Sequence, residues 1–187
     1  DGASVVMLPA RISRIKGHMF LIDALQLLAA QDVFCLFVGS DAGNENYRRE
    51  LEAYITSKDM GGQVRIVSAC DDMPAAYLLA DLAILPTVVP ESFGRAAVEP
   101  QVMGRPVIAS NHGGVTETIL EGKTGWLAAV DDPDAWAEAL GQALDLDPAD
   151  RQAMGALGKD RARQLYSAEA MCSATLAAYE RVLEARA

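Results

Sequence analysis

The chain has 187 residues, 51% of them apolar, and a formal net charge of −10. That length suits one domain with a real core, and the composition excludes a disordered segment. The acidity argues against nucleic acid as a partner, because phosphate backbones need a basic face.

Three cysteines, Cys35, Cys70 and Cys172, are far apart and form no CxxC pair, which argues against a zinc site. Cys35 sits in an apolar run and Cys172 on an apolar helical stripe, so buried, reduced thiols and a cytoplasmic setting are expected. No apolar run approaches the roughly 20 residues of a membrane helix. The sequence opens "DGASVVML" without a Met, which reads as a start inside a longer protein.

In chain order, "SVVMLPA" (4–10) predicts a buried strand and "HMFLIDALQLLAA" (18–30) a helix. A second strand follows at 33–39. A surface helix at 46–58 turns Tyr47, Leu51, Tyr54 and Ile55 inward. The third strand is 63–69, a short helix 73–80, and the fourth strand 81–87. Then come a helix at 95–103, a strand at 105–110, a short helix at 115–120 and a sixth strand at 124–129. Three helices close the chain, at 133–144, 149–165 and 168–185. The last carries a stripe of Met171, Cys172, Thr175, Leu176, Tyr179, Val182 and Leu183, expected to pack, with its far end reaching a further domain. Apolar runs alternating with helices predict an α/β fold: a doubly wound, Rossmann-like parallel sheet of six strands with helices on both faces. Such sheets bind ligands outside the carboxyl ends of their strands, so the loops after the strands are the places to search.

The loop after strand one, "ARISRIKGH", carries Arg11 and Lys16, a planar fork and a point charge that together can hold a diphosphate. It lacks the G-x-G-x-x-G of dinucleotide enzymes, and the chain has no Walker-type phosphate loop. The loop after strand four, "PESFGRAAVEP" (90–100), places Glu91 before a helix and Glu99 inside it. Ser92 is the expected cap. The backbone N–H groups of Phe93, Gly94 and Arg95 are the expected free donors of a helix start, where an anion binds well. Each carboxylate can accept hydrogen bonds from sugar hydroxyls. A glycosidase pair is a weaker reading, since nothing sets the two carboxylates across one bond. After strand five, Gly113 and Gly114 allow a tight turn beside a ligand, and Glu117 follows. His18 and His112 have no metal-ligand spacing, and His18 reads as a core residue.

The ordered set "LPARISRIKGH", "ADLAILPTVVPESFGRAAVEPQVMGRPVIAS", "GGVTETI" and "GKTGWL", spanning 8–127, resembles the C-terminal, donor-binding domain of the group-one retaining glycosyltransferases of GT-B architecture. The resemblance implies transfer of a sugar from a nucleotide-sugar to an acceptor, with no cofactor and no metal. Arg11 and Lys16 would hold the donor diphosphate. Glu91 would contact the transferred sugar, and Phe93 and Gly94 would face sugar and phosphate. Glu99 would bind ribose hydroxyls, and Gly113, Gly114 and Glu117 would line the same pocket. The family's acceptor-binding N-terminal domain has no counterpart here, so residues 1–187 are expected to be one donor domain, inactive alone. Rival readings are a GT-B-type nucleotide-sugar epimerase and a nonenzymatic nucleotide-binding module. The family's commonest setting is polysaccharide assembly in the cytoplasm or at the inner face of the membrane. That leaves room for peripheral membrane contact, although no basic amphipathic helix marks one. One departure is Pro100, where the family usually has Ala; a proline inside a helix can kink it.

Overall fold

The computed structural model describes residues 2–28 and 32–185. Six parallel strands, β1 (Ser4–Pro9), β2 (Val33–Val38), β3 (Val64–Val67), β4 (Leu82–Leu85), β5 (Val107–Ser110) and β6 (Gly125–Ala128), form one sheet in the order β3-β2-β1-β4-β5-β6. The chain winds outward from β1 to β3, then returns to pair β4 with β1, Val6 opposite Leu82. The direction of strand addition reverses between β1 and β4, the position where such sheets open a ligand crevice.

The two-residue period of the strands explains the two cores. Val6, Leu8, Cys35, Phe37, Leu82, Ile84, Ile108 and Trp126 point to one face. There they meet α1 (His18–Leu28), α2 (Glu45–Ser57) and α6 (Pro133–Asp145). Met7, Val38, Ala83, Leu85, Val107 and Ala109 point to the other. That face is covered by α3 (Met73–Leu79), α4 (Arg95–Val102) and α5 (Val115–Thr118). α7 (Pro148–Tyr166) lies against α4, and α8 (Ala168–Glu184) follows it. Both faces being covered is why the strands read as continuous apolar runs rather than alternating ones.

Local chemistry sets the helix starts. Asp132 and Asp147 each precede a proline and accept backbone N–H bonds from Ala135 (3.1 Å) and Ala149 (2.8 Å), the capping pattern that stops a strand or loop and starts a helix. Trp136 is fully buried, donates Nε1–H to the Ala129 carbonyl at 3.1 Å and meets Phe20 edge to face, which ties α6 to α1.

Several sequence expectations need correction. The predicted helix 18–30 is observed to Leu28; positions 29 and 30 lie outside the described residues. The fourth strand is four residues rather than seven, because the Asp81 carboxylate caps the sheet by accepting from the Val5 N–H and Pro86 leaves the ladder. Cys35 is buried and its thiol pKa is pushed far up by burial, but Cys70 and Cys172 are exposed. The α8 stripe does not pack on this domain's core: Met171, Leu176, Tyr179, Val182 and Leu183 are all exposed and α8 buries no residue. Among the described residues, no helix is long and apolar enough to cross a membrane.

Candidate active site

The crevice at the β1–β4 switch point is lined by Leu8 and Ala10 from β1 and its loop, Leu85 and Thr87 from β4 and its loop, and Lys16, Glu91 and Gly94 above them. It is narrow, with a cavity volume of ≈ 20 Å³. Lys16 Nζ and Glu91 Oε1 form an ion pair across it, with side chains 21% and 33% exposed. Seventy-five residues separate the two in sequence; the fold brings them together because β1 and β4 are neighbours.

Backbone contacts fix the loops that carry this pair. Lys16 ends a 3-10 turn, Arg14–Lys16, two residues before α1 begins at His18. Gly17 follows with φ +74°, and a β-carbon there would come within 1.9 Å of the Pro86 carbonyl oxygen. Thr87 is buried, its Oγ1 3.1 Å from the Ile15 carbonyl and 2.9 Å from that of Val89, and the Val88 N–H donates to the Ile15 carbonyl at 3.0 Å. The Glu91 loop is held from its other side by Gly113 and Gly114. The Gly114 N–H donates to the Glu91 carbonyl at 2.8 Å, and β-carbons at 113 and 114 would strike the backbone of Glu91 and Ser92–Phe93. His112 joins the same cluster, Nε2 3.0 Å from the Thr87 carbonyl. The glycine pair therefore acts on the site through the Glu91 loop, not by facing the crevice.

The helix start differs from expectation. Ser92 does not cap α4; Gly94 is the N-cap, at φ +80°, with no side-chain cap. Ala97 and Val98 donate to the Gly94 carbonyl at 2.8 and 3.3 Å. Among the described residues, the N–H groups of Phe93, Gly94, Arg95 and Ala96 have no hydrogen-bond acceptor, so the donor set extends one residue beyond the predicted three. These are the unpaired donors that make a helix start attract anions. Pro100 sits inside α4 and is buried, and the helix continues two residues past it.

Glu99 does not line the crevice with Glu91. It lies on the other flank of α4, in an open groove of ≈ 790 Å³ with Met73, Tyr77, Phe93, Arg95 and Val98. The Tyr77 hydroxyl donates to Glu99 Oε2 at 3.1 Å and Arg95 donates to Oε1 at 2.9 Å. The start of α4 thus separates a narrow crevice holding Lys16–Glu91 from a wide groove holding Glu99. Phe93 spans the junction with α7, its ring 5.4 Å from that of Tyr166. Arg11 is exposed at the crevice side of the sheet and makes no ion pair among the described residues. Glu117 is not brought in: its side chain is exposed and outside both linings, while its carbonyl accepts from Arg161 (2.8 Å) and Tyr166 (2.9 Å).

His18 is buried, with Nδ1 3.3 Å from the Ser13 carbonyl and the ring edge-on to Phe37. Burial, outweighing the Ser13 carbonyl, pushes its pKa down to about 4; it is a core residue, as read. Sequence reasoning missed Tyr77, Thr87 and Gly17. Gly17 had a signal in the "KGH" step beside the phosphate-type cations. Tyr77 had none beyond one hydroxyl in an apolar helix.

A doubly wound parallel sheet with helices on both faces and an open helix start at its switch point defines an α/β domain of Rossmann-like type. Residues 1–161 match the family described as glycosyl transferases group 1, and the chain belongs to that family. The D-inositol 3-phosphate glycosyltransferase of Pseudarthrobacter chlorophenolicus is 34% identical over 167 residues, 87% of this chain and 39% of that protein. A glycosyltransferase of Rickettsia africae superposes with a TM-score of 0.92 at 26% identity, over 98% of this chain and 48% of that one. Anabaena HepE, solved in complex with UDP and glucose, gives 0.86 at 27% identity, over 94% of this chain and 48% of its own. The chain thus spans less than half the length of these relatives.

Proposed function

We propose that this chain is the donor-binding domain of a glycosyltransferase that moves a sugar from a nucleotide-sugar to an acceptor, with retention at the anomeric carbon and without a divalent metal. The observation that carries the reading is the meeting of Lys16, Glu91 and the unpaired N–H groups of α4 at one switch-point crevice. A diphosphate at the α4 start would be held by those N–H groups and by Lys16, with Arg11 closing over it from the exposed side. The sugar would extend toward Glu91 and the ribose toward Glu99 in the wider groove. The UDP bound to HepE supports a nucleotide donor.

In the reaction the bond from the anomeric carbon to the diphosphate oxygen breaks, a bond to an acceptor hydroxyl oxygen forms on the same face, and the hydroxyl proton would pass to the departing diphosphate oxygen. Negative charge grows on the leaving diphosphate, where Lys16, Arg11 and the helix start would stabilise it. Glu91 would orient the sugar as oxocarbenium character develops. The acceptor side would come from the part of the protein beyond this chain, and the uncovered α8 stripe is the surface we assign to contact with it.

The test is nucleotide release by the full-length protein in EDTA, given UDP-, GDP- or ADP-sugars and an acceptor panel, with the product anomer determined. Acceptor-dependent release with the donor's anomeric configuration kept, and none from residues 1–187 alone, is the expected result. Conversion of donor without acceptor would replace this reading with an epimerase. Full-length activity untouched by Glu91→Gln would overturn the assignment of the site.

A further inference from the structure

We propose that Tyr77 is a positioning residue for the donor: its ring is rooted in the core and its hydroxyl holds the Glu99 carboxylate facing the groove, ready for a vicinal diol. The inference rests on the reading of Glu99 as the ribose contact. Tyr77 is 3% exposed and packs with Met7, Val38, Ala76 and Ala80, so its position is set by the sheet and by α3 and not by solvent. From that anchor the hydroxyl donates to Glu99 Oε2 at 3.1 Å. Arg95 holds the other oxygen, but its side chain is 84% exposed and the pair is an ordinary i,i+4 surface contact, which contributes little and is screened by salt.

Only Tyr77 fixes the carboxylate rigidly. A carboxylate with one oxygen tethered from below loses less freedom when it takes two hydroxyls than one that swings freely. Burial, and then the Glu99 charge, push the Tyr77 pKa above its ordinary value. The phenol therefore stays a donor wherever the carboxylate is ionised.

The experiment uses the full-length protein and UDP, GDP and ADP, each beside its 2′,3′-dideoxy counterpart, with Tyr77→Phe and Glu99→Gln. Tyr77→Phe keeps the ring and should keep the melting temperature. It should weaken the bound ribonucleotide about five- to twentyfold, less than the roughly 10- to 150-fold of a direct hydrogen bond to a charged group because Tyr77 acts through Glu99, and leave the dideoxy form within about twofold. In turnover the donor KM should rise while kcat holds. Should Tyr77→Phe unfold, Glu99→Asp withdraws the carboxylate from the hydroxyl and should show the same selective loss. Selective loss in Glu99→Gln with none in Tyr77→Phe would overturn the role of Tyr77 and leave the ribose reading standing. No selectivity in Glu99→Gln would overturn the ribose reading, and this inference with it.

Discussion

The loops around the switch point and the final helix are built on opposite principles. The Lys16 and Glu91 loops are locked by backbone contacts: Gly17 against Pro86, Gly114 against Glu91, and Val88 and Thr87 against Ile15. Helix α8 has a cap, Ser167 to Ala170 at 3.1 Å, and an apolar stripe at helical spacing, but no buried residue. An isolated amphipathic helix gains most of its stability from a packed face, so the stripe makes physical sense only with something to cover it. The first region is held by contacts within the chain, and the α8 stripe is left uncovered among the described residues.

The largest effect should come from breaking the locked region. Gly17→Ala puts a β-carbon onto the Pro86 carbonyl at a left-handed φ and should cost about 2–5 kcal/mol from strain and overpacking. That lowers the melting temperature by about 10 °C. A stable variant would mean the two loops are not pressed together.

Next is acid. His18 titrates near 6.5 when unfolded and at about 4 when folded, so folding favours its neutral form. That stabilisation is full above pH 6.5 and is lost as the pH falls toward 4, at most about 3 kcal/mol. Urea unfolding across this range should show the loss, and His18→Leu should flatten it.

A smaller effect sharpens the crevice. With the ion pair in place, Glu91 would compete with a phosphate for Lys16 on the proposed reading. Glu91→Gln should therefore raise affinity for a sugarless nucleoside diphosphate about two- to fivefold, or 0.4–1 kcal/mol, while reducing transfer by the full-length protein. Weaker diphosphate binding would show that the carboxylate is not a competitor. The smallest effect belongs to α8. Deleting residues 180–187 from this chain should move its melting temperature by less than about 1 °C, because the described side chains of 180–185 are all exposed; a larger drop would show that the far end packs here after all.

Much of the fold was legible because its strands are short apolar runs and its helices amphipathic, so the alternation alone gives the doubly wound class. Lys16 and Glu91 were legible as types, a cation and a carboxylate at strand ends, but their pairing depends on β1 lying beside β4. Ser92 looked like the cap of α4; the chain instead takes a left-handed turn at Gly94, which no spacing rule separates from an ordinary loop glycine. Glu99 was expected at the edge of the Glu91 crevice, yet α4 stands between them and gives each its own pocket. Met171 to Leu183 show the limit most plainly. The stripe is real, but the sequence of one domain does not say which surface it meets.

The central claim is tested most directly by calorimetric titration of this chain, shown to be folded, with UDP-, GDP- and ADP-sugars in EDTA, beside Lys16→Ala. Binding of one nucleotide class, weakened about 10- to 150-fold by the variant as expected for a lost charge-assisted contact of about 1.5–3 kcal/mol, is the predicted result. Binding that ignores Lys16→Ala, or that needs a divalent cation, would contradict it.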